Sequence, residues 1–264
     1  MQWYDAYVFD LDGTIYLGDE ILPGAKRLIE HLRQEGTIVK FLSNNPTKDP
    51  EMYQQKLDRL GIPTPLEDIA NTIVTTTRWL RENHPGAALF VVGEAPLKRA
   101  LSNAGFRLTE DPAETDIVVS SYDRGFDYRK LQIAFDAIWF HQRAFLIQTN
   151  PDRYCPFPGG RGEPDCAAMT AAIEACTGTT CQVSLGKPSP IMLTEALRGH
   201  DVDLTRCLMV GDRLMTDIQM AIDAGMPSAL VLTGESTRND VAARSEDQRP
   251  TYVVDRIDEL LPTD

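Results

Sequence analysis

Close to its N-terminus the chain carries the stretch Val8-Phe9-Asp10-Leu11-Asp12-Gly13-Thr14. The residues from Ala6 to Phe9 are apolar or aromatic, do not alternate with polar residues, and lead directly into two aspartates one residue apart. This pattern is typical of a fully buried strand of a parallel sheet whose carboxyl end opens into a loop. Ligands bind at those ends in open α/β sheets, so both carboxylates are candidate site residues. An Asp-Gly turn that merely ends a strand is the alternative interpretation.

A second acidic pair follows another apolar run far along the chain. Cys207 to Val210 lead into Gly211-Asp212, and Asp217 lies five residues further on, at the start of a helical pattern. Carboxylates gathered in this way repel each other and require a cation, a shared proton or solvent. Two such pairs, each at a predicted strand end, favour a functional site over two unrelated turns.

Two further short motifs complete the set. The apolar run from Ile38 to Leu42 predicts the next buried strand, which ends in Ser43-Asn44-Asn45, and Lys187-Pro188 lies much later in the chain. A right-handed crossover makes the first two strands neighbours in one sheet, so we expect Ser43 to lie beside Asp10. Ser43 and Asn44 could instead cap a helix predicted from Lys48 to Leu60.

Taken in chain order, the four motifs DxDGT, S/T-N-N, Lys-Pro and GDxxxxD resemble those of the haloacid dehalogenase superfamily, specifically its NagD-like branch of phosphatases. The resemblance covers nearly the whole chain. It implies an α/β fold, with a Rossmann-like parallel-sheet core, helices on both faces of the sheet, and an inserted α/β cap domain. Alternating strand and helix patterns through the middle of the chain also indicate α/β layers.

The expected core is discontinuous, comprising residues 1–85 and 183–264, with the cap domain at 86–182. The gap between Asp12 and the helix predicted to begin near Ala25 is only about ten residues, so it can form a small flap but not a domain. We predict a helix at 72–83 in the first part of the core, and within the cap helices at 95–104, 128–141 and 165–176 and a Pro/Gly-rich loop from Asn150 to Pro164.

Composition narrows the class of protein. With 264 residues, 42% of them hydrophobic and 25% charged, the chain is typical of a globular protein with a sizeable core. The net charge of −13 argues against a nucleic-acid partner, because no basic stripe offsets it. The negative charge does not exclude an anionic substrate, because a divalent metal and one lysine can reverse the local electrostatic field.

The cysteines and the hydropathy pattern bear on location. Five cysteines without CxxC spacing indicate reduced thiols and a cytoplasmic protein, although the nearest pair, Cys176 and Cys181, could form a disulfide or bind a metal. We see no signal peptide, and no stretch approaches the ~20 apolar residues of a membrane span. We therefore expect no membrane partner.

The resemblance implies a role for each motif residue. Asp10 is the expected nucleophile, and Asp12 the general acid and base. Mg²⁺ would be bound by a carboxylate oxygen of Asp10, the backbone carbonyl of Asp12 and a carboxylate oxygen of Asp212. Asp217 would orient that set of ligands and Lys187, as outer partners of a metal usually do.

The phosphate would be held by the other two motifs. Lys187 would face the phosphate and Asp10 as a fixed charge, although outside this motif context it would be an ordinary surface lysine. Ser43 and the backbone N–H groups of Asn44 and Asn45 would bind a phosphate oxygen.

Asp12 decides between reaction classes within the family that the chain resembles. Transporters, which preserve the phosphoenzyme, carry threonine at this position, and the dehalogenases lack the general acid and base. The phosphomutases known to us carry their cap in the loop after the first motif, and here that loop is too short. Asp12 thus favours hydrolysis.

Substrate recognition is expected from the cap. Asn150-Pro151-Asp152-Arg153 resembles the family's TNPD segment at a loop that contacts the leaving group, so Asn150, Asp152 and Arg153 are candidate specificity residues. The downstream segment, residues 162–165, departs from the small-residue pattern of the family. Asp165 is predicted to cap a helix, and the roles of Arg161 and Glu163 stay open. Arg153 and Arg161 could bind a second anion of the substrate or lie solvated on the surface.

The sequence therefore predicts a Mg²⁺-dependent phosphomonoesterase. Its substrate would be a small phosphorylated metabolite, either a sugar phosphate, a nucleotide or a short-chain acid phosphate, and an aspartyl-phosphate would be the intermediate. The alternative is a weakly active regulatory or binding protein that senses a phosphorylated ligand. A homodimer formed through the cap is a further possibility.

Overall fold

The computed structural model describes residues 2–157 and 161–261, and the chain divides into two compact units. The first unit comprises Met1–Ser43, Pro50–Ala70 and Lys187–Asp264, and the second comprises Asn44–Asp49 and Asn71–Gly186. The second unit thus takes in residues 71–85, which the predicted boundary at residue 85 leaves with the core.

A six-stranded sheet with the strand order β15-β14-β13-β1-β4-β5 forms the centre of the first unit. Its strands are β1 (Ala6–Asp10), β4 (Ile38–Ser43), β5 (Ile69–Asn71), β13 (Cys207–Gly211), β14 (Ser228–Val231) and β15 (Tyr252–Val254). β1 pairs in parallel with β4 and β13, and β13, β14 and β15 are parallel as well. The strands carry continuous apolar runs because both faces of the sheet are covered.

Helices and a small hairpin complete the first unit. They are β2 (Tyr16–Leu17), β3 (Glu20–Ile21), α1 (Ala25–Gln34), α2 (Pro50–Arg59), α7 (Pro190–Ala196), α8 (Gln219–Asp223) and α9 (Arg238–Ala242). The apolar positions of α1 are buried, so the predicted helical face is confirmed. The β2–β3 hairpin is the small flap expected between the first motif and α1.

The second unit contains a five-stranded parallel sheet with the order β12-β9-β8-β6-β7. Its strands are β6 (Ala88–Val92), β7 (Arg107–Leu108), β8 (Ile117–Ser120), β9 (Phe145–Gln148) and β12 (Val183–Ser184), and its helices are α3 (Thr72–Asn83), α4 (Ala95–Asn103), α5 (Tyr128–Phe135) and α6 (Cys166–Thr177). The predicted N-cap of α6 is confirmed, because the Asp165 side chain accepts a hydrogen bond from the Cys166 N–H. The α/β class is confirmed in both units.

Some local predictions were wrong. The segment predicted as a loop from Asn150 to Pro164 contains an antiparallel hairpin, β10 (Tyr154–Phe157) and β11 (Arg161–Pro164), while 158–160 lie outside the described residues. The extent of the helix predicted at 128–141 is confirmed to within one residue, but only Tyr128–Phe135 is α-helical and the last part, Asp136–Phe140, is a π-helical turn.

Two findings concern the cysteines and the membrane. All five cysteines are free thiols, so the disulfide between Cys176 and Cys181 does not form. Within the described ranges, no helix combines the length and the apolarity needed to traverse a bilayer.

Candidate active site

The carboxyl ends of neighbouring strands bring the motifs of the first unit together. Asp10 is the last residue of β1 and is opposite Leu42 of β4, so Ser43 lies one residue further along the adjacent strand, as predicted. On the other side of β1, β13 ends at Gly211 and delivers Asp212. Asp10, Ser43 and Asp212 are all buried.

Lys187 lies among the carboxylates. Its side chain is 4% exposed, its Nζ donates a hydrogen bond to Asp10 Oδ1, and it lies 2.7 Å from Asp217 Oδ1. Burial alone would lower the pKa of Lys187, but the charges of Asp10 and Asp217 outweigh it and hold that pKa above its ordinary value. The lysine therefore stays charged and fixes the orientation of Asp10.

Asp10, Asp212 and Asp217 form a buried acidic cluster. Each offers a carboxylate oxygen, and these oxygens lie within 4.8 Å of one another. Burial, followed by the charges of Asp10 and Asp217, raises the pKa of Asp212 to about 8. Burial likewise raises the pKa of Asp217 to about 6, although Lys187 opposes the shift. Ionised carboxylates are thus unfavourable here unless a cation joins them.

Ion pairing distinguishes Asp217 from Asp212. In the described part of the chain, Asp10 Oδ2, Asp212 Oδ1 and Asp217 Oδ1 are buried and have no hydrogen-bond partner. Asp217 Oδ1 nevertheless forms an ion pair with Lys187 Nζ at 2.7 Å, and Asp217 Oδ2 accepts a hydrogen bond from the Arg213 N–H at 3.1 Å. An all-oxygen set with unsatisfied carboxylate oxygens fits a hard divalent cation. Asp217 is placed to support the lysine.

Glycines and one loop allow the acidic cluster to close around Asp212. Gly13 has a φ of +92°, and a Cβ there or at Gly234 would overlap with the Asp212 carboxylate. The Glu235 N–H donates to Asp212 Oδ2 at 2.8 Å. Sequence reasoning assigned no role to Gly234 and Glu235. They lie in the loop after β14, a strand of the same sheet, and this position was a signal for them.

Asp12 differs from Asp10, Asp212 and Asp217 because it is exposed. Its Oδ2 accepts a hydrogen bond of 3.3 Å from the hydroxyl of Tyr16, which is fully buried. Burial, then the charge of Asp12, raises the pKa of Tyr16 well above its usual range, so the phenol stays protonated. An exposed carboxyl two residues beyond a buried one can exchange protons with ligand or water. Sequence reasoning missed Tyr16.

The S-N-N motif is held by several partners. The hydroxyls of Ser43 and Tyr53 are 2.9 Å apart, and α2 begins only at Pro50, so the alternative that Ser43 caps this helix was wrong. Asn45 Oδ1 accepts hydrogen bonds from the N–H and the hydroxyl of Thr47. These contacts fix the chain just after β4, where the sequence predicts a phosphate-binding turn.

In the second unit the TNPD-like segment is part of a polar network. Asn150 is fully buried, and its Nδ2 donates to Asp152 Oδ2 at 2.9 Å and to Asp165 Oδ1 at 3.2 Å. Asp152 Oδ2 also accepts a hydrogen bond of 2.8 Å from Asn44 Nδ2. Arg153, by contrast, is exposed. The network orders Asn150 and Asp152, whereas the Arg153 side chain faces solvent.

The β10–β11 hairpin is fastened through Glu163. The hydroxyl of Tyr122, a buried residue that follows β8, donates a hydrogen bond to Glu163 Oε2. The guanidinium of Arg124 lies 5.4 Å from the centre of the Tyr122 ring and pairs with Glu94. Glu163 therefore has a structural partner, whereas Arg161 is exposed.

Comparisons with known proteins agree with this geometry. Residues 7–107 match the family described as haloacid dehalogenase-like hydrolase, and residues 184–260 match one described as HAD-hydrolase-like. The chain is 35% identical over 262 residues to the acid sugar phosphatase of Staphylococcus aureus, which covers 99% of this chain and 98% of that protein.

Solved structures of similar proteins cover the same length. A 4-nitrophenylphosphatase from Thermotoga maritima has a TM-score of 0.90 and 31% identity, covering 97% of this chain and 96% of that one. NagD from E. coli K-12 has a TM-score of 0.86 and 27% identity, covering 98% and 99%. The chain therefore belongs to the haloacid dehalogenase-like hydrolases, in their NagD-like branch of phosphatases.

Proposed function

We propose that this protein is a Mg²⁺-dependent phosphomonoesterase that hydrolyses small phosphorylated metabolites through an aspartyl-phosphate on Asp10. One observation carries the proposal: Asp10 is buried at a strand end, with Oδ1 bonded to Lys187 and Oδ2 free of hydrogen bonds in the described chain. A buried carboxylate oxygen held in one orientation and left unsatisfied is suited to bond a metal or a phosphorus atom.

In the first step, a carboxylate oxygen of Asp10 forms a bond to phosphorus while the bond to the ester oxygen breaks. Asp12 gives its proton to that departing oxygen. Asp12 can do so because it is exposed, whereas Asp10, two residues earlier, is only 7% exposed. Lys187 keeps Asp10 oriented for the attack, and Asp217 keeps Lys187 in place.

In the second step, water attacks the phosphorus of the aspartyl-phosphate and the bond to Asp10 breaks. Asp12, now a carboxylate, takes the proton of that water, and inorganic phosphate leaves. An aspartate at position 12 thus serves both steps, which supports hydrolysis over storage of the phosphoryl group.

One carboxylate oxygen of Asp10 and one of Asp212 would bind the Mg²⁺, together with the backbone carbonyl of Asp12, and Asp217 would orient this set. The other carboxylate oxygen of Asp10 would attack the phosphorus. When bound, the ion supplies positive charge that neutralises the transferring phosphoryl group. Without such charge, the acidic cluster would repel a phosphate dianion.

Ser43 and the N–H groups of Asn44 and Asn45 are the proposed ligands of a phosphate oxygen. In the second unit, Arg153 is the proposed specificity residue, because it is exposed while Asn150 and Asp152 are engaged in the polar network. The names of the relatives, an acid sugar phosphatase and a 4-nitrophenylphosphatase, support sugar phosphates and aryl phosphates as the first substrates to assay.

The test is phosphate release from p-nitrophenyl phosphate and a panel of sugar phosphates, first with excess chelator and then with Mg²⁺ restored. We expect no turnover without the metal. Acid-quenched enzyme should carry covalent phosphate that Asp12→Asn accumulates and Asp10→Asn abolishes. Phosphate release by Asp10→Asn above about a tenth of the wild-type rate would remove Asp10 from its role. Binding of phosphorylated ligands without any turnover would favour the sensing protein instead.

A further inference from the structure

Tyr16 lies next to the proposed active site, and the phosphatase mechanism above does not use it. It opens β2, is fully buried, and places its hydroxyl 3.3 Å from Asp12 Oδ2. The same turn is closed through the backbone, because the Gly13 N–H donates to the Tyr16 carbonyl at 2.8 Å. The backbone of Tyr16 is therefore fixed beside the first motif.

The ring of Tyr16 is held on its other side by a cation. Lys56 of α2 is buried, and its Nζ lies 3.5 Å from the centre of the Tyr16 ring. A cation over an aromatic face is attracted to it, most strongly where water is excluded. The backbone and Lys56 thus hold the phenol from two directions.

We infer that Tyr16 is a positioning residue for Asp12: its hydroxyl donates to Oδ2 and holds the carboxyl in the orientation in which it transfers protons. This inference rests on the proposed role of Asp12 as general acid and base. Asp12 itself is exposed, and the hydrogen bond from Tyr16 restricts the rotamers that this exposed carboxyl can adopt.

The inference has a consequence for the two chemical steps. As phosphorus bonds to Asp10, the proton on Asp12 passes to the ester oxygen that leaves. In hydrolysis the Asp12 carboxylate takes the proton of the attacking water, and Tyr16 keeps its own proton throughout. Only steps in which Asp12 transfers a proton should depend on the Tyr16 hydroxyl. Esters whose leaving group departs as a stable anion should depend on it least in kcat/KM.

The experiment compares Tyr16→Phe, Asp12→Asn and the double variant on an alkyl phosphate and on p-nitrophenyl phosphate. Tyr16→Phe keeps the ring and its contact with Lys56 and removes one oxygen. We expect it to lower kcat/KM for the alkyl ester about tenfold, and for p-nitrophenyl phosphate less than twofold. In the Asp12→Asn background it should cause no further loss, because the residue through which it acts is already disabled.

Tyr4→Phe is the matched control. Tyr4 is also a buried tyrosine of the first unit, with its hydroxyl 3.0 Å from that of Tyr252, and it lies before β1. Removing this hydroxyl should leave the ratio of kcat/KM for the two esters unchanged. Melting curves of both Phe variants report any general loss of stability.

The outcomes separate the inference from the proposed function. If Asp12→Asn lowers kcat/KM for the alkyl ester no more than kcat/KM for p-nitrophenyl phosphate, Asp12 is not the general acid and the proposed mechanism is wrong. A second outcome is that Asp12→Asn lowers kcat/KM more for the alkyl ester while Tyr16→Phe lowers kcat/KM for both esters by one common factor, or for neither. In that case Tyr16 is only structural and the inference is overturned. A further loss from Tyr16→Phe in the Asp12→Asn background would overturn it as well.

Discussion

Asp212→Asn should make the metal-free protein more stable while destroying its response to Mg²⁺. The Asp212 carboxyl is 3% exposed and one of its oxygens has no hydrogen bond in the described chain. Burial and the neighbouring carboxylates raise the pKa of Asp212 to about 8. Because the folded-state pKa lies above the unfolded value, the folded protein retains a proton that the unfolded chain releases, and the metal-free fold loses stability as pH rises from about 4 towards 8.

The magnitude follows from that shift. A group with a pKa of about 8 in the folded state and of about 3.9 in the unfolded state costs the metal-free fold about 4 kcal/mol at pH 7, at ~1.36 kcal/mol per pH unit. An asparagine carries no such penalty, and its oxygen can still accept the Glu235 N–H. If the amide NH₂ of this asparagine is imperfectly hydrogen-bonded, the free energy of unfolding falls by about 1–3 kcal/mol. We expect a net gain of about 1–3 kcal/mol, or a melting temperature several degrees higher.

The assay is thermal unfolding of wild type and variant, in chelator and in Mg²⁺, between pH 5 and pH 8. In chelator the variant should melt higher at pH 7, and the gap should narrow towards pH 5. In Mg²⁺ at 100 times its Kd, wild type should gain about 2.7 kcal/mol and the variant nothing. A variant that melts lower in chelator at pH 7, or keeps the Mg²⁺ shift, would refute the reasoning.

Asp258→Asn is the matched control for this prediction. Asp258 is another buried aspartate of the first unit, 7% exposed, but it accepts hydrogen bonds from Arg27 at 2.7 Å and from Arg256 at 3.0 Å. Removing a paired charge leaves its partners uncompensated. This variant should melt lower than wild type in chelator and in Mg²⁺ alike, opposite in sign to Asp212→Asn.

Three further changes test other parts of the structure. Asp217→Asn should fold and lower kcat about 10–100-fold, because Lys187 loses one of the two carboxylates that hold it; an unchanged kcat for p-nitrophenyl phosphate would contradict this. Arg153→Ala should alter the relative kcat/KM among sugar, nucleotide and short-chain acid phosphates, and one common factor for all of them would mean that Arg153 is not a specificity residue. Tyr122→Phe should raise proteolytic cleavage within the β10–β11 hairpin, because Glu163 loses its bond to the sheet; cleavage at the wild-type rate would show that the hairpin is held by other contacts.

The sequence predicted the meeting of Asp10, Ser43 and Asp212 because it depends on few variables. Each residue follows a continuous apolar run, and parallel strands place their carboxyl ends at one edge of the sheet. To place the three residues together, only the order of the strands in the sheet had to be predicted in addition. The placement of Lys187 could not be derived in this way, since no strand delivers it, and it was expected only from the resemblance.

Other features were beyond the sequence for physical reasons. The β10–β11 hairpin contains Pro, Gly and charged residues without apolar alternation, and its pairing is visible only in the fold. The contact of Tyr16 with Asp12 depends on the backbone of a turn rather than on periodicity. Asp152, expected to contact substrate, also accepts hydrogen bonds from the nearby Asn150 and from Asn44, which lies 108 residues away in the sequence.

The charges of the site lead to a last prediction, that Mg²⁺ governs substrate affinity and not only rate. Three buried carboxylates face one lysine, and the chain as a whole has a net charge of −13. A phosphate dianion entering this cluster meets net repulsion in a low dielectric unless a divalent cation is present. Inorganic phosphate should therefore bind measurably only with Mg²⁺, and by linkage phosphate should raise the affinity for Mg²⁺ by the same factor. Calorimetric titration of each in the presence and absence of the other measures both factors, and a phosphate affinity indifferent to Mg²⁺ would show that Lys187 alone neutralises the site.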